Sequence, residues 1–116
     1  MLTDKNPVPI CLFTFNRLHN TIETLNALKK NYLAQSTPIF IFSDGPRNET
    51  EADQIYQVRQ FLESVKGFQS IEIIKQASNQ GLARSIIKGV SEVIALKGAL
   101  IVMEDDLLTS PNFCTT

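Results

Sequence analysis

The sequence of 116 residues is poor in metal-binding and disulfide-forming side chains, with two cysteines and one histidine. Cys11 lies inside an apolar run and Cys114 stands near the end. They share no ligand spacing and no disulfide framework, so both read as free thiols in a reducing compartment. His19 stands beside a helix start, far from either cysteine, and reads as a solvated or capping residue. An excess of one charge is also missing. Eleven Lys and Arg face twelve Asp and Glu for a net charge of -1, and no stretch concentrates basic residues, so nucleic acid is not expected as a partner. Long apolar runs are absent: Ala99 to Met103 is typical, far below the ~18 residues that cross a bilayer. The first strand-like segment starts close behind Met1, leaving no room for a signal peptide or transmembrane anchor, so the expected location is cytoplasmic. A glycine-rich phosphate loop is lacking too. Thr14-Phe15-Asn16-Arg17-Leu18 carries neither the dinucleotide fingerprint nor the P-loop, which disfavours classical NAD or ATP binding. It also lacks the aspartate nucleophile of phosphoaspartate-forming hydrolases.

What is present is an ordinary globular composition, 43% apolar and 20% charged, with the length of one domain. Pro7 to Thr14 predicts a first strand with its prolines at the entrance. Asn20 and Glu23 then form a capping pair for a helix carrying Ile22, Leu25, Leu28 and Tyr32 and ending near Asn31. Pro38 to Ser43 is apolar on successive positions, as in a strand covered on both faces. Asp44-Gly45-Pro46 is a turn signal. Ile55, Val58, Phe61, Leu62 and Val65 mark an amphipathic helix for which Gly67 is a C-cap. Ser70 to Lys75 predicts a third strand, and Leu82, Ile86, Val90, Val93 and Ile94 a third helix, despite the interior Gly89, ended by Gly98. Ala99 to Met103 predicts a fourth strand, and Ser110-Pro111 the start of another helix. Strands alternating with helices imply a three-layer α/β/α fold, a parallel sheet with right-handed crossovers and helices on both faces.

In such a sheet ligands bind outside the carboxyl ends of the strands. All four ends carry polar groups: Phe15-Asn16-Arg17, Ser43-Asp44-Gly45, Ser78-Asn79-Gln80-Gly81 and Glu104-Asp105-Asp106. Three adjacent carboxylates repel one another and are stabilised by a divalent cation, and oxygen ligands point to magnesium or manganese. The competing reading is a solvated acidic turn at a helix N-terminus. Extended geometry puts Glu104 and Asp106 on one side and Asp105 on the other, so only part of the triplet ligates a metal at once. A nucleotide whose diphosphate is neutralised by metal fits this set. Arg17 would contact the nucleotide, Asp44 would accept a hydrogen bond from a base edge, and Asn79 and Arg84 would border the cleft. Each of these segments also has a plain reading as a turn or a surface residue.

Taken together and in order, these four segments resemble the nucleotide-sugar-binding half of GT-A glycosyltransferases. The likeness is to bacterial family 2 enzymes and to the N-acetylglucosaminyltransferase I type, whose DxD motif takes the form Glu-Asp-Asp. The resemblance runs from about Pro7 to Phe113 and implies a Rossmann-like GT-A fold of the nucleotide-diphospho-sugar transferase type. It implies Asp106 as the direct metal ligand, Asp105 on the donor sugar or a metal-bound water, and Glu104 on the ribose side. Phe15, Asn16, Arg17, Asp44 and Asn79 would lie at the nucleotide and Arg84 beside the donor pocket. The implied donor is a uridine diphosphate sugar, and the implied cofactor Mn2+ or Mg2+.

Enzymes of this kind continue past the metal motif into an acceptor-binding half that supplies a general base. Here ten residues follow Asp106, none of them Asp, Glu or His, so no base is assigned. The expectation is a single donor-binding part over residues 1–116, truncated after the DxD-like motif. Its acceptor is unknown, and its surface is open to self-association. A non-catalytic nucleotide-binding or interaction module of the same fold is the alternative. A nucleotidyltransferase is a third, though its usual glycine- and arginine-rich loop after the first strand is absent.

Overall fold

Successive apolar residues at 10–14 and 38–43 have nowhere to turn but into two opposite cores, and the computed structural model shows this arrangement. It describes residues 8–31 and 34–104. Four parallel strands, β1 (Ile10–Thr14), β2 (Pro38–Ser43), β3 (Ser70–Lys75) and β4 (Ile101–Glu104), form one sheet in the order β3-β2-β1-β4. Between them run α1 (Leu18–Asn31), α2 (Glu49–Leu62) and α3 (Leu82–Lys97), with a short 3-10 turn at Ala34–Ser36. The expected α/β architecture is therefore present.

The register sets Ile10 opposite Ile39 and Ile101, and Leu12 opposite Ile41 and Met103. These residues share one face of the sheet with Leu25 and Leu28 of α1 and Val58 and Leu62 of α2 in the larger core. Because side chains alternate along a strand, Cys11, Phe13 and Phe42 point the other way and meet Val93 of α3 in a smaller core. There the Phe13 and Phe42 rings stack with centroids 4.8 Å apart. A Cβ on Gly89 would lie 2.9 Å from the Phe42 ring and 3.1 Å from the Phe13 ring. The interior glycine of α3 is thus what lets this helix settle on the stacked pair.

Several boundaries differ from the sequence expectation. The first strand begins at Ile10, not Pro7, since prolines cannot donate to the ladder. The first helix starts at Leu18, so Asn20 and Glu23 are inside it and form no capping pair. Glu23 instead meets His19 one turn earlier at 2.9 Å, which accounts for the lone histidine as a solvated residue. The second helix ends at Leu62, short of Gly67. The amides of Ser64 and Val65 donate three residues back to Phe61 and Leu62, tightening the chain out of the helix, while Val65 remains in the core. Asn48 caps the helix start by accepting from the Glu51 amide. The fourth strand is Ile101–Glu104, two residues later at its start than Ala99. Its first amide donates to the Pro9 carbonyl at 2.9 Å. Gly98, in the left-handed conformation at φ 84°, ends α3 as expected. Tyr32 and the helix expected from Ser110-Pro111 lie outside the described residues.

Candidate functional site

Strands β1, β2 and β3 add successively in one direction, and β4 then pairs on the far side of β1. The order reverses at β1, so the loops leaving the carboxyl ends of β1 and β4 diverge and leave a crevice between them. A cleft of about 620 Å³ occupies that place. Its walls are Thr14 at the end of β1 and Phe15 to Arg17 after it, Asp44 and Arg47 after β2, Asn79 and Gly81 before α3, Leu82 at the start of α3, Gln54 of α2, and Glu104 at the end of β4. The stacked Phe13 and Phe42 rings reach its floor, and the volume suits a nucleotide-sized ligand.

Of the sequence-expected residues, Phe15, Asn16, Arg17, Asp44, Asn79 and Glu104 come together on this cleft. Arg84 is exposed and borders a smaller neighbouring cavity of about 130 Å³, which it shares with Asp44, Gln80, Ser85 and Lys88. Asp105 and Asp106 lie outside the described residues. Among the described residues no group of three His, Cys, Asp or Glu side chains is placed to hold a metal.

Asp44 is buried, 8% exposed, and is the most heavily bonded group of the site. Its Oδ1 accepts from the Gly45 and Gln80 amides, both at 2.8 Å. Its Oδ2 accepts from the Gly81 amide at 3.1 Å and from Asn79 Nδ2 at 3.2 Å. Asn79 Nδ2 also donates to the Gly45 carbonyl at 2.9 Å. The connection before α3 thus folds over the end of β2. The fit is so close that a Cβ on Gly45 would lie 2.5 Å from the Ser78 carbonyl carbon.

Below this, Arg59 of α2 ties the ends of β2 and β3 together. Its Nε donates to Ser43 Oγ at 2.8 Å, and its Nη2 to the carbonyls of Gln76 at 2.9 Å, Ser43 at 3.1 Å and Asp44 at 3.3 Å. Burial pushes the Arg59 guanidinium below its usual range, and the nearby Asp44 charge opposes that shift.

Arg47 and Gln54 were not singled out in the sequence, and both face the cleft. The Arg47 guanidinium lies 5.5 Å from the centre of the Phe15 ring, a cation–π contact. It pairs with Glu51 in the first turn of α2, Nε donating to both carboxylate oxygens at 3.1 and 3.2 Å. That hydrogen bonding holds the Glu51 carboxyl below the usual carboxylate range. Gln54 Oε1 accepts from Asn16 Nδ2 at 2.8 Å, joining α2 to the end of β1. Neither residue belongs to a motif. Gln54 shares its helix face with ordinary surface polar groups, so only the fold reveals its place. Ser85 Oγ, also on the cleft wall, is buried and has no hydrogen-bond partner among the described residues.

The family model described as Glycosyl transferase family 2 matches residues 10–116, nearly the whole chain. No curated protein and no solved structure matches the chain. Among the described residues, no helix is long and apolar enough to cross a membrane.

Proposed function

The chain belongs to glycosyl transferase family 2, and from that premise we propose that its cleft receives the donor of a metal-dependent sugar transfer, a nucleoside diphosphate sugar with uridine as the nucleoside. The observation that carries this reading is the convergence of polar groups from three strand ends on one cleft at the reversal point of the sheet. The chain offers an aromatic face at Phe15, amide groups at Asn16 and Asn79, and cationic groups at Arg17 and Arg47 along its walls. Those are the chemistries that a base, a ribose and a diphosphate require. Arg84, beside the neighbouring cavity, stands within the same end of the molecule.

Glu104 brings one carboxylate of the acidic triplet to the cleft wall, and in this reading it faces the ribose. Asp106, two positions further along the chain, is the proposed direct ligand of Mn2+ or Mg2+, with Asp105 holding the donor sugar or a metal-bound water. An all-oxygen carboxylate set fits a hard cation. When bound, the cation acts as a Lewis acid on the departing diphosphate. Asp44 cannot substitute as a ligand, because the chain's own donors occupy its carboxylate. The acceptor and its general base are not assigned to these residues.

Calorimetric titration with uridine diphosphate, with and without manganese, tests the reading. Binding that needs the metal and is lost in Asp106→Ala, with the melting temperature kept, is the expected outcome. Equal binding by the two proteins removes Asp106 from the site.

A further inference from the structure

An arginine whose side chain is 64% exposed ordinarily samples many rotamers, yet Arg47 is held in one place on the cleft wall. We propose that Arg47 contacts the nucleotide by stacking against its base, and that Glu51 is the positioning residue that keeps the guanidinium there. The inference rests on the donor-cleft reading above and deepens it, by naming a side chain that the base lies against.

The holding is local and complete. Glu51 Oε1 accepts from the Arg47 backbone amide at 2.9 Å and from Arg47 Nε at 3.1 Å, while Oε2 accepts from Nε at 3.2 Å and from Nη2. One carboxylate thus fixes both the backbone and the side chain of Arg47. The Glu51 side chain is itself only 11% exposed, in a helical turn whose start Asn48 caps by accepting from the Glu51 amide at 2.9 Å. Glu51 lines neither cavity, so it acts on a ligand through Arg47.

The other side of the contact is tied to the same helix. Gln54, one turn after Glu51, accepts from Asn16 Nδ2 at 2.8 Å, and Asn16 directly follows Phe15. The start of α2 therefore sets both the guanidinium and the loop that carries the aromatic ring, with the cation 5.5 Å from the ring centre. Phe15, Asn16, Arg47 and Gln54 all line the cleft.

This pairing selects what Arg47 offers. The Glu51 carboxylate offsets the charge of the guanidinium and so weakens its pull on a diphosphate. The hydrogens given to Glu51 lie in the guanidinium plane, so the ion pair uses an edge of the group rather than its flat faces. A planar cation beside an aromatic ring suits stacking on a base. Stacking uses the π-face that every base has, so it adds affinity without choosing among bases. The edge of the base is left to other groups of the wall.

Calorimetric titration of the whole chain with uridine diphosphate and manganese tests this, using Arg47→Ala, Arg47→Lys, Glu51→Gln and the double variant Arg47→Ala with Glu51→Gln. Arg47→Ala is expected to bind about tenfold more weakly than the wild type. Arg47→Lys is expected to bind as weakly as Arg47→Ala, since lysine keeps the charge and loses the plane. Glu51→Gln is expected to lose several-fold, and to add nothing in the Arg47→Ala background, because a residue that acts only through Arg47 has no effect without it. An ion pair with a purely structural role would change stability and leave all four affinities at the wild-type value. Amide protection at Leu12 and Ile41 reports that each variant is folded, and Arg47→Lys with Glu51→Gln carries the test if the alanine variant is not.

Wild-type affinity in folded Arg47→Ala, wild-type affinity in Arg47→Lys, or a Glu51→Gln loss that persists without Arg47 each overturns the proposal while the donor-cleft reading stands. Absence of binding by the wild type itself overturns the donor-cleft reading, and this role for Arg47 with it.

Discussion

Burial pushes the Cys11 thiol up to about 12, because β1 places it in the smaller core with no group to stabilise a thiolate. Native protein treated with an alkylating reagent at about pH 8, well below that value, is expected to remain unmodified at Cys11 until denaturant is added. Peptide mapping by mass spectrometry reads this directly. Glu51 shows the opposite shift. Its folded value is lowered by the Arg47 hydrogen bonds, so its contribution is fully present above the unfolded value of about 4.3. It is lost as the pH falls through the lower folded value. The stability gap between the wild type and Glu51→Gln in urea denaturation is therefore expected to stay level from pH 8 to about pH 5. It should close below about pH 4. Both residues show how the sequence underdetermines environment. Cys11 in an apolar run was readable as a free thiol, and its burial made that definite. Arg47 and Glu51 carry no motif, and it is the fold that pairs them and sets the Arg47 guanidinium over Phe15 at the cleft.

At the scale of elements, α3 shows a local preference giving way to packing. An interior glycine costs a helix up to ~1 kcal/mol relative to alanine, yet a Cβ on Gly89 would enter the contact distance of both stacked rings. Overpacking of this kind costs ~1–3 kcal/mol. Gly89→Ala is therefore expected to lower the melting temperature despite its better helix propensity, and a higher melting temperature would mean that the rings yield. Elements whose signals were internal to the segment were legible. The apolar stretch Pro38–Ser43, the alternation at Ser70–Lys75 and the stripe of Leu82–Lys97 all stand where the pattern places them. Boundaries set by partners were not. Where α1 starts, where α2 ends and where β4 begins depend on hydrogen bonds to Arg17, Phe61 and Pro9, and the sequence does not announce those pairings. The same holds for the connection before α3. Its Asn-Gln-Gly residues read as a loop, while the saturation of Asp44 by that loop is a three-dimensional fact.

The whole molecule places its chemistry by topology. Reversal of the strand order at β1 opens the cleft, and two cores of unequal size hold the sheet that frames it. The polar strand ends were readable because a parallel sheet presents them on one side, and the structure gathers the first, second and fourth ends with the connection after the third. Among the described residues Arg84 stands apart, since the helical turn from Gly81 carries it to the neighbouring cavity. Of the stripe expected on α3, Ile86, Val90 and Val93 pack on the smaller core, while Leu82 and Ile94 remain 51% and 46% exposed.

In the proposed reading the cleft at the carboxyl ends of β1, β2 and β4 receives the nucleotide. Backbone amide resonances followed during titration with uridine diphosphate and manganese test it most directly. Shifts are expected to concentrate at Phe15 to Arg17, Gly45 to Arg47, Asn79 to Gly81, Ser85 and Glu104. Shifts centred instead on the amino ends of the strands, around Pro38, Gln69 and Ile101, would contradict it.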